Sequence, residues 1–528
     1  MTPFEQAATI AITPLTPIHI GCGETFEPTD YVIDGNGLYA FDPSLAVLND
    51  SQRSQLLRVA RDADLQGIQN FFRNHPEPFI GCSRQVIPVT DEISREYDEK
   101  IGRPAQKISN GNNIINRLSI DRTTCHPHTS IPYLPGSSLK GAIRTAILDR
   151  LNNGEKPRVP ARQATQWENH LLRMEGFNFA QSAFRLLKVS DLAAGNPAHQ
   201  IVMARQYKKK LLTGRQQDSS TIPARKQVII PAQYRCFTGS INLHSLSGIH
   251  AEKKKIPAWT IENLKALAHD CNRYYLHHME RDLTVLRTLQ GAKLVSGQWL
   301  DSIERLLSGI QEKLDSGNAF LAKLGQYGGA ESKTYTGNVA EIKIMHGKDK
   351  KTTYESSTTT IWLTDCGNGN VPFGWALVEI APEDDLPALK KWCGQQQASL
   401  PDSAALQQKL SEIRTAMAKR KAAIVQEKAE QEAKRQAEEQ AAQQRAEEIA
   451  AMPKGERVAV EITGKLESVR AKDVGNTAVG EVKISLKNAV AELSRADRQA
   501  CIAAVKSIFK KKDLLSKKNK EFFKELES

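Results

Sequence analysis

Apolar residues change their spacing several times along the chain, and each change marks an element. Residues Ala7 to Ile20 are rich in Thr and Ile and broken by Pro14 and Pro17, which predicts a strand that bends at a sheet edge. A hairpin is expected next: Tyr31-Val32-Ile33 and Leu38-Tyr39-Ala40-Phe41 are short apolar runs separated by Asp34-Gly35-Asn36-Gly37, residue types that adopt the positive φ of tight turns. From Pro43 to Asn74 the spacing becomes helical (Leu45, Leu48, Leu56, Val59, Ile68, Phe71, Phe72), with an interruption at Asn49-Asp50-Ser51. Arg95 to Ser130 is polar and turn-rich, and Ile131 to Pro135 then leads into GSSLKGAIRTAILDRL, which reads as a helix.

Arg205 to Arg225 (RQYKKKLLTGRQQDSSTIPAR) reads as a basic loop ahead of strand-like Gln227 to Ile230 and Phe237 to Leu243. Helices resume from Trp259 to Leu289. The segment NAFLAKLGQYGGAESKT brings Gly325, Gly328 and Gly329 among basic and aromatic residues, and strand-like PFGWALVEI closes the region at Ile380. The main boundary is expected just beyond, giving a first region over 1–385. Residues 402–451 shift to Ala, Gln, Glu, Lys and Arg without Gly or Pro, which predicts a long charged helix serving as a spacer or weak coiled coil. Residues 454–528, with VAVEIT and a helical VAELSRADRQACIAAVKSIFKKKDLL, form a small basic appendage, α/β or helical, of unassigned role.

Length and charge then narrow the picture. A chain of 528 residues needs more than one core. Its 72 Lys+Arg against 60 Asp+Glu, a formal charge of +12, favours a polyanion, with nucleic acid the first candidate. An acidic protein or membrane surface would use the same charge. The eight cysteines never form a CxxC pair, so reduced, packed thiols are expected, with no structural zinc. The first residues lack a signal-peptide pattern and no run of about 18 apolar residues follows, so a soluble, cytoplasmic protein without membrane contact is expected.

Chemistry concentrates in PGSSLKGAIR. Ser137 or Ser138 can cap a helix start whose free N–H groups attract an anion, Gly136 permits close backbone approach, and Gly141 keeps the first turn slim. Lys140 and Arg144, four apart, share a helical face. These ten residues read equally as a phosphate cradle and as an ordinary capped helix. They are not a Walker A loop, because the lysine precedes the second glycine. In the later glycine-rich segment, Tyr327 offers a stacking surface and Lys323 and Lys333 offer charge for phosphates, although glycine loops are common as plain connections.

Together PLTPIHIGCGE, FEPTDYVID, YLPGSSLKGAIRTAIL, LAKLGQYGGAESKT and PFGWALVE resemble, in content and order, the RAMP superfamily of CRISPR-associated proteins, and within it the fifth-subunit family of type III-A Csm effector complexes. The resemblance spans about Thr9 to Ile380 and leaves the region after Asp402 outside it. It implies an α+β, ferredoxin-like (RRM-like) core with large inserted loops and helices. It also implies a subunit that binds crRNA near its 3′ end, caps the filament of backbone subunits, supports guide maturation and engages host trimming nucleases. On that basis Gly136, Ser137, Ser138, Lys140 and Arg144 face the RNA backbone with Gly325, Gly328 and Gly329 adjoining; Arg205 to Lys210, placed there by their charge alone, supplement them.

Two residues raise the question of catalysis. In related backbone subunits an aspartate of the early loop serves metal-dependent RNA cleavage, and Asp30 stands at a comparable place. A single carboxylate in a Pro-Thr-Asp turn nevertheless suits backbone capping better. His19 in IHIG suits packing better than proton transfer, CHPH (Cys125, His126, His128) crowds its ligands too closely for zinc, and His277-His278 reads as a wet helix face. The expectation is therefore a binding subunit without catalytic residues, metal or cofactor, with a RAMP endoribonuclease as the rival.

Overall fold

A computed structural model describes residues 5–107, 113–159, 163–176, 178–195, 197–210, 222–246, 256–345, 352–367, 369–396, 401–466 and 477–528. These residues divide into two compact units, Met1–Ala418 and Lys419–Ser528. The tip of the basic stretch, 211–221, and the polar turn 108–112 lie outside the described residues.

In the first unit the strands that position the site are, in chain order, β1 (Glu5–Pro14), β2 (Gly21–Phe26), β3 (Ile120–Thr123), β4 (Leu187–Val189), β5 (His199–Lys208), β6 (Ala224–Ile229), β7 (Phe237–His244), β8 (Ala319–Lys323), β9 (Thr360–Asp365), β10 (Asn370–Pro372) and β11 (Trp375–Ile380). The corresponding helices are α1 (Gly136–Asn152) and α2 (Leu264–Gly291). One sheet runs β8-β11-β1-β7-β4, with every neighbouring pair antiparallel. A second runs β10-β9-β5-β6-β3-β2, antiparallel except where β6 meets β3. The fold class is thus mixed α+β.

β1 lies in the middle of its sheet, not at the edge that its prolines suggest. Ile10 to Pro14 are buried on both faces, and Pro14 is the strand's last residue, where a missing N–H costs no ladder bond. The next two amides, Leu15 and Thr16, turn onto the carbonyl of Trp375. Both helices cover the sheet and each other. Leu139, Ile143, Ala146 and Ile147 of α1 join Leu267, Cys271, Tyr275 and Met279 of α2 in one core with Ile10, Ile12, Phe320 and Leu377. This arrangement follows from apolar residues repeating every three to four positions on each helix.

The hairpin forms as its turn residues dictate: Tyr31–Asp34 pairs with Gly37–Ala40, and Gly35 takes φ +59 at the tip. Helices Asp50–Arg61 and Leu65–Asn74 follow, capped by Asn49 and Asp64. Three segments differ from their sequence reading. The polar stretch after Arg95 contains the end of a helix, Asp91–Lys100, and strand β3; RQYK is the end of β5, not a loop; and helix Pro387–Gln396 seats Leu389, Trp392 and Cys393 in the main core, so the first unit continues past residue 385.

Helix α3 (Ser403–Ala451) begins in the first unit. There Leu406, Leu410 and Ile413 pack with Phe71, Phe72 and Phe79, and Lys409 pairs with Asp34 at 2.8 Å. The second unit, described by itself, is helical throughout its described residues: after the rest of α3 come α4 (Lys454–Thr463), α5 (Thr477–Glu492), α6 (Arg495–Lys511) and α7 (Lys517–Glu527). Ala459, Val482, Leu486, Val505, Phe509 and Phe523 fill its core. VAVEIT, whose alternation suggests a strand, is helical because Ala459 and Ile462 face this core. All eight cysteines are free thiols, and among the described residues no helix is long and apolar enough to cross a membrane.

A buried ion pair ties the core sheet to the loop before β7. Arg235 grips both carboxylate oxygens of Glu379, at 2.9 and 2.8 Å, with Glu379 only 6% exposed. Glu379→Ala removes the bidentate carboxylate and leaves the guanidinium only the Asp384 carbonyl as an acceptor, and is expected to cost roughly 3 kcal/mol. Urea unfolding followed by tryptophan fluorescence measures this in the first unit, which holds all six tryptophans.

Candidate nucleic-acid interface

The start of α1 is shaped by the end of β4. Pro135 occupies the cap position without a side-chain cap, so neither Ser137 nor Ser138 caps the helix; Ser137 is exposed on its first turn and Ser138 half-buried. Gly136 is buried, and a Cβ there would strike the carbonyl oxygens of Val189 and Ser190. Close approach is therefore the reason for glycine, and what approaches is the protein's own backbone. The Gly136 N–H donates to Asp191 Oδ1 at 2.8 Å, so a carboxylate already occupies the helix start that suits an anion.

Lys140 and Arg144 share the expected face, but both hold protein groups. The Lys140 ammonium donates to the Leu187 carbonyl at 2.7 Å, and burial, with Lys188 nearby, lowers its pKa. Arg144 pairs with Glu168 at 2.6 Å and lies over the Phe184 ring. Gly141 is exposed, with open space where a side chain would stand.

The glycine-rich segment follows β8. Gly325 has φ +80 and packs so closely on the His19 carbonyl that a Cβ would collide with it. Gln326 N–H donates to that same carbonyl at 2.8 Å. Gly329 is also left-handed, at φ +85, and Gly328 packs on the Lys323 stem. Tyr327, left-handed at φ +66, sets its ring against Trp362 (4.7 Å), Phe373 (5.5 Å) and the Lys226 ammonium (4.9 Å). The Lys323 side chain is 6% exposed, paired with Asp282 at 2.5 Å and set over the Trp375 indole. Lys333 is exposed, with no hydrogen bond or ion pair among the described residues.

A residue with no sequence signal organises this loop. One oxygen of buried Glu331 accepts from Lys209, from Ser357 and from the amide and hydroxyl of Thr358. Burial would raise its pKa, but Lys209 and these donors outweigh burial and hold it at about 2. The loop and the second sheet enclose a cleft of about 480 Å³ lined by Lys209, Gln326, Tyr327, Lys333 and Trp362. Arg205 pairs with Glu92 and Lys208 is exposed, so the RQYKKK cations are divided among different tasks.

Between the two glycine-marked segments runs the backbone of Ile18 to Gly21. Ile18 exchanges hydrogen bonds with Ile229, and the Ile20 carbonyl accepts from the amide (2.7 Å) and hydroxyl (2.8 Å) of Thr124. Tyr133 N–H donates to the Thr124 carbonyl at 3.2 Å, two residues before Pro135. An unbroken run of hydrogen bonds thus joins the glycine loop, His19-Ile20, Thr124 and the approach to α1. Cys22, His126, Ser137 and Gln326 are exposed in these segments.

His19 is 1% exposed. Its Nδ1 lies 2.8 Å from the Gln227 carbonyl; a carbonyl only accepts, so Nδ1 carries the proton and Nε2 keeps a buried, unpartnered lone pair. Burial, with Lys226 adding to it, lowers the pKa to about 4 despite the opposing Gln227 bond, so the ring is neutral at pH 7. His278, expected on a wet face, is buried with its pKa likewise lowered to about 4, while His277 is exposed. Asp30 is exposed and closes a local turn, its carboxylate accepting from the Glu27 amide (3.4 Å) and the Thr29 hydroxyl (3.3 Å). Among the described residues no group of three or more His, Cys, Asp or Glu is placed to hold a metal.

Two outcomes follow from this geometry. Gly325→Ala forces a left-handed alanine into the His19 carbonyl and is expected to destabilise the first unit by roughly 2 kcal/mol, read from the shift in its urea midpoint. Both histidines have lowered pKa values, so their contribution is fully present above about pH 6.5 and lost as pH falls toward about 4, on the order of 3 kcal/mol each. Unfolding midpoints are therefore expected to fall between pH 7 and 5, and His19→Gln to make that fall shallower.

The sequence profile of the RAMP superfamily matches residues 11–314. No curated protein matches the chain. Among solved structures, a chain of the "Cryo-EM structure of Csm-crRNA-target RNA ternary complex in type III-A CRISPR-Cas system" is 15% identical, with 71% of this chain and all of that one covered and a TM-score of 0.45. The "Crystal structure of T.onnurineus Csm5" is 16% identical, with 60% and 89% covered and a TM-score of 0.36. The superfamily match takes in the end of β1 and all of α1 and α2 and spans more than half of the sequence, and the chain belongs to the RAMP superfamily.

Proposed function

We propose that this chain is a crRNA-binding subunit of a type III-A CRISPR effector complex, capping the guide at its 3′ end and contacting the backbone subunit. Membership of the RAMP superfamily carries the reading. The unbroken run from Gly325 through His19-Ile20 to Tyr133 supports it, because it joins the two family-like glycine segments in one framework. The strand order supports a ferredoxin-like core: α1 leads from β1 to β4 and α2 from β7 toward β11, interleaving two β-α-β units in the antiparallel order β11-β1-β7-β4, with β8 as an added edge.

RNA contact on this reading uses Ser137, Gly141, Gln326 and Lys333, which are exposed, while Lys140, Arg144 and Lys323 hold the frame. The subunit binds without cutting. Asp30's carboxylate is engaged by its own turn, and His19 is a neutral ring anchored through Nδ1. Recruitment of host trimming nucleases belongs to the same reading.

Guide sequences vary, so recognition rests on phosphates. Affinity of the full chain for unstructured RNA is expected to fall more than about tenfold between roughly 50 and 200 mM salt, and a flat response overturns the reading. In a reconstituted effector complex, Asp30→Ala is expected to leave every target-cleavage position intact. Loss of one position would establish the endoribonuclease instead.

A further inference from the structure

The second unit lies outside the superfamily match, and its charge is concentrated at one end. Between Lys506 and Lys524 stand eight lysines against only Asp513 and Glu521. Two of the eight are held by the protein: Lys506 by Glu527 at 2.5 Å, and Lys512 by the Leu466 carbonyl. Lys510, Lys511, Lys517, Lys518, Lys520 and Lys524 are exposed, with no hydrogen bond or ion pair among the described residues. On α7, positions 517, 520 and 524 recur at helical spacing along one face.

Folding concentrates these charges further. Lys483 of α5 lies over the Phe522 ring at 5.2 Å and close enough to Lys518 for the two to repel. Nothing in the unit's core needs this crowding, since Val482, Leu486 and Phe523 supply the packing beside it. Half-buried Phe522 adds an aromatic surface among the cations, the combination that grips a single strand through phosphates and a stacked base. A membrane surface fits poorly: insertion requires a free apolar helix face, and on α7 Phe523 is 0% exposed within the core.

We propose that the lysine ridge of α6 and α7 is a separate binding surface for single-stranded RNA, gripping the phosphate backbone independently of base sequence. It does not rest on the function proposed above, because the ridge lies in a unit with its own core.

The test uses the full chain and a labelled oligouridylate. Replacing Lys510, Lys511, Lys517, Lys518, Lys520 and Lys524 together by Gln is expected to weaken binding at least about tenfold at roughly 100 mM salt. The slope of log affinity against log salt should fall by up to about 4. The same six positions changed to Arg should retain affinity and slope. If the Gln protein loses helical circular dichroism, the pair K518Q/K520Q replaces it, with an expected slope change of about 1.4. An unchanged slope in the Gln protein overturns the proposal. So does displacement of the RNA by polyglutamate at equal charge, or binding to phosphatidylserine vesicles in preference to the oligonucleotide. Whatever salt dependence the Gln protein retains belongs to the first unit and reports on the function proposed for it.

Discussion

The first unit depends on the carbonyl oxygens of two adjacent residues, His19 and Ile20. The first accepts the Gln326 amide and sets how closely the glycine loop approaches; the second accepts two donors from Thr124 and holds the segment that leads into α1. His19's ring adds a third tether, to Gln227 of β6, beside the Ile18–Ile229 exchange that joins the chain leaving the first sheet to the second. Every one of these partners is distant in sequence. The segment is therefore a junction whose geometry exists only once both sheets have formed.

This explains what was legible beforehand and what was not. The hairpin at 31–40 was legible because its turn residues specify it locally, as were α1, α2 and α3 from spacing and composition. β1 was misplaced at an edge because Pro14 and Pro17 carry no information about their distance from the strand's end. Helix Asp91–Lys100 was missed because only Ile93 and Tyr97 are buried among polar neighbours, too weak a period to notice. At the site, the closeness implied by Gly136 was readable but the approaching group, the carbonyls at the end of β4, was not, and the approach of Gly325 to the His19 carbonyl left no sign beyond a glycine in a glycine-rich loop. Asp191 and Glu331, the two carboxylates that organise these segments, sit in unremarkable sequence and become meaningful only through their donors.

Charge tells a similar story. Lys140, Arg144, Lys209 and Lys323 look like phosphate ligands in one dimension, yet each finds a carbonyl or carboxylate. Half-buried cations without such partners would carry the full desolvation cost, so internal pairing is the physically expected outcome. What remains for a polyanion is the surplus at exposed positions, and much of it is gathered in the lysines of the second unit.

The contacts at the junction have a bearing on how this protein can change over time. Most are made backbone to backbone, so the exposed side chain of Gln326 does not itself fix the loop. Mutational drift at exposed Gln326 can therefore remodel the chemistry of the surface while its architecture stays in place.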